Sequence, residues 1–387
     1  MYKILTLNNI SVKGLDCFPR DHYEIASEMS HPDAVLVRSF NMHDMDLPDA
    51  LKAIGRAGAG VNNIPVEAMS ERGVAVFNAP GANANAVKEL VLAGMFMAAR
   101  NLCAAWDYTR NLDTAAPDLE HRVEAGKKKF VGFELPGRIL GVIGLGAIGV
   151  RIANAARALG MQVIGYDPKI TVRSAWQLSS DVQHAASVDD LLSRSDFVTF
   201  HVPLNDATHN MINADRLGRM KPGAVLLNFA RAGIVDEEAV CRALDAGQLH
   251  AYVCDFPTPA LLANPKVIAL PHLGASTHEA EENCAVIVAE QLREYLENGN
   301  VRNSVNLPEV FLPRAGDSRL AVINRNLPDM VGQISHILGK AGLNIVHMVN
   351  ESRGAIAYTI MDVEGEITED AAREISAIDG VLRVRVL

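Results

Sequence analysis

The sequence predicts an α/β protein: two doubly wound, parallel-sheet domains followed by a small C-terminal βαββαβ module. Three observations predict this. Short apolar runs bounded by turn residues recur between Met1 and Leu270 at the spacing of β–α units. A glycine-rich strand–turn–helix does not begin until Ile139, which leaves room for a separate α/β domain before it. Beyond Gly316 the pattern changes to four short strands with two helices among them.

At 387 residues the chain is long for a single domain. Its net charge of −10 argues against a nucleic-acid-binding surface, although clustered arginines can still build a local anion site. The five cysteines show no C-x-x-C spacing, so they predict reduced thiols in a cytoplasmic protein, with neither a disulfide frame nor a metal site. MYKILTLNNI reads as a first strand and not as a signal peptide, and no apolar run approaches a membrane span. Nucleic acid and membrane are therefore not expected partners.

Taken in order, Ala34–Val37 predicts a strand whose C-terminal end carries Arg38 and Ser39, the end where α/β sheets bind ligands. Arg38 alone reads equally well as a solvated surface residue. LKAIGRAGAG then leads into Val61; the glycines flanking Ala59 either expose backbone amides to a carboxylate or make an ordinary turn. Residues 74–77 predict another strand and residues 88–99 a buried, alanine-rich helix. The basic run Lys127-Lys128-Lys129 reads as a solvated face.

The central stretch is ILGVIGLGAIGVRIANAARALGMQVIGYDP. Ile139–Ile143 predicts a buried strand, residues 150–159 a helix with one apolar face, and Gln162–Tyr166 a second strand. Gly144 permits a tight turn, Gly146 lets a pyrophosphate approach bare backbone, and Gly149 lets helix and strand pack closely. The phosphates then sit on the unpaired N–H groups at the positive end of that helix, and Ala147 and Ile148, between the second and third glycines, are counted with the cofactor site. Asp167, at the end of the second strand, is placed for the adenosine ribose hydroxyls, so NAD is preferred over NADP. Strand, glycines, helix, strand and acid in this order make a Rossmann βαβ unit.

Further strands are predicted at residues 197–202, Ala224–Asn228 and residues 267–270; Pro203 closes the first, His201 at its end reads as a packed-core or cofactor-wall histidine and not as a catalyst, and both are counted as cofactor-binding positions. Arg231 follows the strand AVLLN, where a guanidinium can hold a carboxylate or polarise a carbonyl. His272 follows the strand VIAL and is the best placed of the twelve histidines for general acid–base work. Either residue alone reads as structural; together beside a nucleotide site they form a reaction constellation. Residues 279–296 predict a long amphipathic helix that crosses back to the first domain, and residues 300–314 a linker. The last module has the order of a ferredoxin-like unit, with helices at 330–341 and 368–378. Its amide-rich turns around Asn324, Asn326 and Asn344 either line a ligand pocket or serve as caps.

The combination of G-x-G-x-x-G with Asp167, NFARAGIVDE and ALPHLGAST resembles the D-2-hydroxyacid dehydrogenase family, and the tail resembles an ACT domain. That resemblance implies a substrate-binding domain split between residues 1–97 and 285–312, an NAD-binding domain at 98–284, and an ACT-like domain at 316–387. It implies oxidation of 3-phosphoglycerate to 3-phosphohydroxypyruvate by NAD, the first step of serine synthesis. By the same resemblance Arg231 and His272 are catalytic, and Ala230 and Asp255 flank the cofactor. Arg38 and Ser39 contact the phosphate, Ala59, Gly60 and Val61 hold the carboxylate, and Asn83 lines the pocket. Asn324, Asn326 and Asn344 match effector positions for L-serine, and a homodimer or homotetramer is implied. The family's D-V-F-x-x-E-P segment, whose glutamate pairs with the histidine, is replaced here by CDFPTPALLANP. Other acids of the family (glycerate/hydroxypyruvate, erythronate phosphate) and a non-catalytic NAD-sensing protein are the alternatives.

Overall fold

A computed structural model describes every residue from Met1 to Leu387. The chain forms two compact units: residues 1–83 with 277–387, and residues 84–276. The divisions fall at 83/84 and 276/277, not near 97/98 and 284/285, because whole helices stay on one side of each boundary. Helix Ala84–Ala99 buries Val87, Val91, Met95 and Ala98 in a core shared with Leu140, Val142, Val225 and Val253. The crossing helix His278–Asn298 starts on its N-cap Thr277 and buries Val288, Leu292, Tyr295 and Leu296 in the first unit.

In that first unit five parallel strands, β1 (Tyr2–Leu7), β2 (Tyr23–Ala26), β3 (Ala34–Val37), β4 (Ala53–Arg56) and β5 (Ala75–Asn78), lie in the order β2-β1-β3-β4-β5. All four β3 side chains are buried, as expected of an apolar run covered on both faces. The order reverses between β1 and β3, so a crevice opens at their C-terminal ends.

The second unit has a seven-stranded parallel sheet. Its strands are β6 (Ile139–Ile143), β7 (Gln162–Tyr166), β8 (Gln183–His184), β9 (Phe197–Phe200), β10 (Ala224–Asn228), β11 (Leu249–Cys254) and β12 (Val267–Ala269). Their order, β12-β11-β10-β9-β6-β7-β8, is doubly wound and reverses between β6 and β9. The glycine-rich turn leads into helix Ala147–Ala158, which begins earlier than residue 150 because Gly146 is its N-cap. Strand β9 stops at Phe200, so His201 and Pro203 lie beyond its end. Strand β11 was not among the sequence-predicted strands.

The C-terminal module is a four-stranded antiparallel sheet, β13 (Ser318–Arg325), β14 (Asn344–Arg353), β15 (Ile356–Glu364) and β16 (Val381–Val386), in the order β14-β15-β13-β16. Helices Met330–Lys340 and Glu369–Ser376 supply the expected βαββαβ order. Alternation along β13 divides its faces. Leu320 and Val322 pack under the two helices, whereas Ala321 and Ile323 join the core around the crossing helix.

Residues 300–314 are not a free linker. Val305 N–H donates to Val76 O (2.7 Å), Asn306 Oδ1 accepts from Val76 N–H (2.8 Å), and Ser304 bridges to Phe77. The asparagines that suggest a break instead satisfy the edge of β5. The end of the crossing helix is capped by the C-terminal module: Arg385 donates to the carbonyls of Tyr295 and Leu296, Arg319 to Asn298 O, and Tyr358 to Gly299 O. Arg319 also forms a buried bidentate pair with Asp362 (2.6 and 2.8 Å). Burial pushes the Asp362 carboxyl up, but Arg319 and the Ala315 N–H together hold it below its ordinary value. Arg319→Ala leaves that carboxylate buried without its cation, and should lower unfolding free energy by about 3–5 kcal/mol. Urea unfolding followed by tryptophan-independent circular dichroism checks this; the paired replacement Arg319→Met with Asp362→Leu should recover much of the loss.

Candidate active site

The nucleotide loop is held by its own backbone. Gly144 has φ +91°, and a Cβ there would lie 2.5 Å from His201 O. A Cβ on Gly149 would lie 1.9 Å from Gly144 O, so that position tolerates only glycine. Gly146 differs: a Cβ there meets nothing within 4 Å. Packing does not demand this glycine, and the open space lies over the N-terminus of helix Ala147–Ala158. Asp167 stands at the tip of β7, where its Oδ2 accepts from Leu145 N–H and its Oδ1 from Lys169 N–H, both at 2.8 Å. The acid thus braces the glycine loop and keeps its remaining lone pairs for a ligand.

The other predicted residues of this unit follow the C-terminal ends of neighbouring strands. His201 follows β9, with Nε2 2.9 Å from Thr199 Oγ1 and Nδ1 buried without a partner. Burial drives its pKa down to about 3, so the ring stays neutral at pH 7. Ala230 and Arg231 follow β10. Asn228 clasps that turn, donating to Arg231 O (3.0 Å) and accepting from Ala230 N–H (3.2 Å). The Arg231 guanidinium donates to Ala230 O (2.6 Å), and the residue is exposed.

Asp255 follows β11 and is only 2% exposed, yet neither carboxylate oxygen has a partner. Burial raises its pKa to about 6, against smaller opposing pulls from its own backbone N–H and from Arg231. His272, beyond β12, is exposed, with its ring 4.8 Å from that of Phe256 and tilted by 56°. Thr199, Asn228 and Phe256 were not singled out from sequence; each lies within four residues of one that was.

In the first unit the predicted residues follow the C-terminal ends of β3, β4 and β5. Asn8, in left-handed backbone after β1, accepts from Ser39 N–H (3.0 Å) and Phe40 N–H (2.6 Å). Arg38 Nη2 pairs with Glu281 Oε1 at 2.6 Å, and Arg56 Nε donates to Arg38 O (3.0 Å). Ala59, Gly60 and Val61 follow β4, where Asn78 anchors the loop through Ala59 O (2.5 Å). Asn83 is the last residue before the division between units. Asn8 and Glu281 escaped the sequence reading; Glu281 joins Arg38 only through the fold.

The C-terminal amides do not converge through hydrogen bonds. Asn324 is buried, donating to Arg325 O with its own Oδ1 unpartnered; Asn326 donates to Gly354 O, and Asn344 to Glu364. No group of residues suited to a metal ion is present.

Residues 92–274 match the family described as D-isomer specific 2-hydroxyacid dehydrogenase, NAD binding domain. The D-3-phosphoglycerate dehydrogenase of Escherichia coli (strain K12) is 36% identical over 354 residues, covering 88% of this chain and 82% of that protein. The chain belongs to the D-isomer specific 2-hydroxyacid dehydrogenases. The D-3-phosphoglycerate dehydrogenase of Archaeoglobus fulgidus is 38% identical over 332 residues, covering 80% of this chain and 60% of that protein. Among solved structures, an NAD+-bound 3-phosphoglycerate dehydrogenase of Entamoeba histolytica matches with TM-score 0.61 and 26% identity, covering 80% of this chain and 99% of that one. The residues present fit NAD: the open approach at Gly146 suits a pyrophosphate, and the two unpaired Asp255 oxygens call for a donor. No helix is long and apolar enough to cross a membrane.

Proposed function

We propose that the chain oxidises D-3-phosphoglycerate to 3-phosphohydroxypyruvate with NAD, the entry step of serine synthesis in the cytoplasm. The observation that carries this reading is the placement of Arg38 and Ser39 at the switch-point crevice of the first sheet, a site for a phosphate in addition to the carboxylate every hydroxy acid has. The curated relatives named above support the same substrate.

In this reading Arg38 and the Ser39 hydroxyl hold the phosphate, and Asn83 lines the pocket. The amides of Ala59, Gly60 and Val61 take the carboxylate. Arg231 binds carboxylate and polarises the C2 oxygen, its turn fixed by Asn228. His272 accepts the C2 hydroxyl proton, with Phe256 limiting the swing of its ring. NAD bound in the second unit would supply the hydride acceptor for C2; with the hydroxyl proton on His272 and the hydride gone, the C2 alcohol becomes a ketone. The nucleotide would be held by Gly144, Gly146, Ala147, Ile148 and Gly149 at the pyrophosphate and by Asp167 at the ribose. His201, Pro203 and Ala230 would wall the nicotinamide, and Asp255 would accept from its carboxamide.

The missing family glutamate leaves Asp255 as the buried acid beside this site, and its titration is measurable. Burial raises its pKa to about 6, above the ordinary aspartate range. The native state therefore binds its proton first, and stability contributed by this group rises as pH falls through 6 toward 4. At pH 8 the buried charge is a cost. Asp255→Asn should thus melt higher than the parent at pH 8, and the difference should shrink by about pH 5, as read by scanning calorimetry.

We assign the C-terminal module as ACT-like, with Asn324, Asn326 and Asn344 as an L-serine site in a homodimer or homotetramer. The βαββαβ topology and the unpartnered Asn324 Oδ1 support that assignment. The substrate reading is tested by initial rates of NAD reduction: 3-phosphoglycerate should exceed unphosphorylated glycerate by roughly a hundredfold or more in kcat/KM, the worth of a charge-assisted phosphate contact.

A further inference from the structure

The crossing helix delivers a carboxylate to Arg38. The N-terminal end of this helix is fixed in three ways. Thr277 Oγ1 accepts from Ala280 N–H (3.1 Å), Glu282 pairs with Lys13 (2.6 Å), and a Cβ on Gly14 would lie 2.6 Å from Ala285 Cβ. Glu281, next to Glu282, accepts instead from Arg38 Nη2 through its Oε1 (2.6 Å). The Arg38 main chain is equally fixed. Its carbonyl accepts from Arg56 Nε (3.0 Å) and Asn63 Nδ2 (3.4 Å), and the following N–H, of Ser39, donates to Asn8. What Arg38 can still choose is the partner of its guanidinium.

Stability does not account for that pair. A carboxylate in the first turn of a helix is favourable wherever it points. The Arg38 side chain is 35% exposed and the Glu281 side chain 37%, and ion pairs this wet add little to folding. The pair matters more for an incoming anion. Burial raises the pKa of the Cys284 thiol, one helical turn beyond Glu281, while Arg56 and Arg38 pull it down and Glu281 pushes it up. Two cations and one anion therefore share this neighbourhood, and Glu281 is the anion that the protein itself supplies to Arg38. A phosphate arriving at Arg38 meets a negative charge already seated there, and the two repel.

We propose that Glu281 is a positioning residue that competes with the substrate's phosphate for the Arg38 guanidinium, and so sets how weakly phosphorylated acids are held. This inference rests on the reading of Arg38 as the phosphate site.

Titration calorimetry of the full chain with inorganic phosphate, at constant ionic strength, tests it in Glu281→Gln, which keeps the shape and removes the charge. Glu282→Gln removes the same charge from the neighbouring residue and serves as the control. Glu281→Gln should tighten phosphate by about five- to tenfold, the effect of removing one like charge at a half-exposed site. Glu282→Gln should change it by less than about twofold, and Arg38→Ala should abolish binding. The KM for 3-phosphoglycerate should fall in Glu281→Gln by the same factor as the phosphate affinity rises, with kcat no higher, the mark of binding shared by ground and transition states. A glutamate that served only the helix would leave both readings unmoved. Phosphate affinity unchanged or weakened in Glu281→Gln, or tightened equally by Glu282→Gln, overturns this inference and leaves the substrate reading standing. Phosphate binding to neither the parent nor Glu281→Gln, or binding that survives Arg38→Ala, overturns the phosphate site itself and this inference with it.

Discussion

Replacing His272 with alanine is expected to lower kcat by about 10²–10⁴-fold while leaving the affinity for NAD within about twofold. Two histidines follow strands on the C-terminal edge of the second sheet, and their surroundings separate their roles. His201 is half-buried with its Nδ1 sealed from water and its Nε2 tied to Thr199, and burial pushes its pKa down to about 3, so it takes up no proton at neutral pH. His272 is exposed and packed on one side by Phe256. In the proposed function His272 is the proton acceptor and His201 is not. His201→Ala should therefore act on cofactor binding, and His272→Ala on turnover. Steady-state rates combined with NAD titration distinguish the two.

The second large effect divides the glycines of the nucleotide loop. Gly149→Ala places a methyl 1.9 Å from Gly144 O, where only backbone can give way. It should lower the melting temperature of the NAD-free protein and weaken NAD by on the order of a hundredfold or more, because the turn and helix N-terminus separate. Gly146→Ala meets no protein atom within 4 Å, so the NAD-free protein should melt as the parent does. Its affinity for NAD should nevertheless fall, by about tenfold, since the added methyl occupies the approach of the pyrophosphate. Thermal melts with and without NAD check both variants. Equal destabilisation of the NAD-free protein by both would show that Gly146 serves packing instead.

Much of this site is legible in the sequence because its constraints are local. The turn at Gly144, the close approach at Gly149 and the acid at Asp167 all belong to one βαβ unit. Arg231 and His272 are legible because each lies within three residues of an apolar strand. Strand β11 was missed because His250 and Tyr252 interrupt its apolar run, although Gly247 and Asp255 bracket it. Glu281 was invisible as the partner of Arg38, since 243 residues separate them and only folding of the crossing helix brings them together. The segment at 300–314 misleads for a different reason. Its asparagines resemble turn formers, yet Asn300 and Asn306 are buried acceptors for backbone N–H groups. Both domain boundaries shifted because buried helix faces, not sequence composition, decide which unit a helix joins.

The most direct measurement is NAD reduction with 3-phosphoglycerate and with glycerate, in the parent protein and in Arg38→Ala. A strong preference for the phosphorylated acid that collapses in Arg38→Ala, mainly through KM, is the predicted result. Equal rates with the two acids in the parent, or a preference untouched by Arg38→Ala, would contradict a phosphate site at the β1–β3 crevice and with it the proposed substrate.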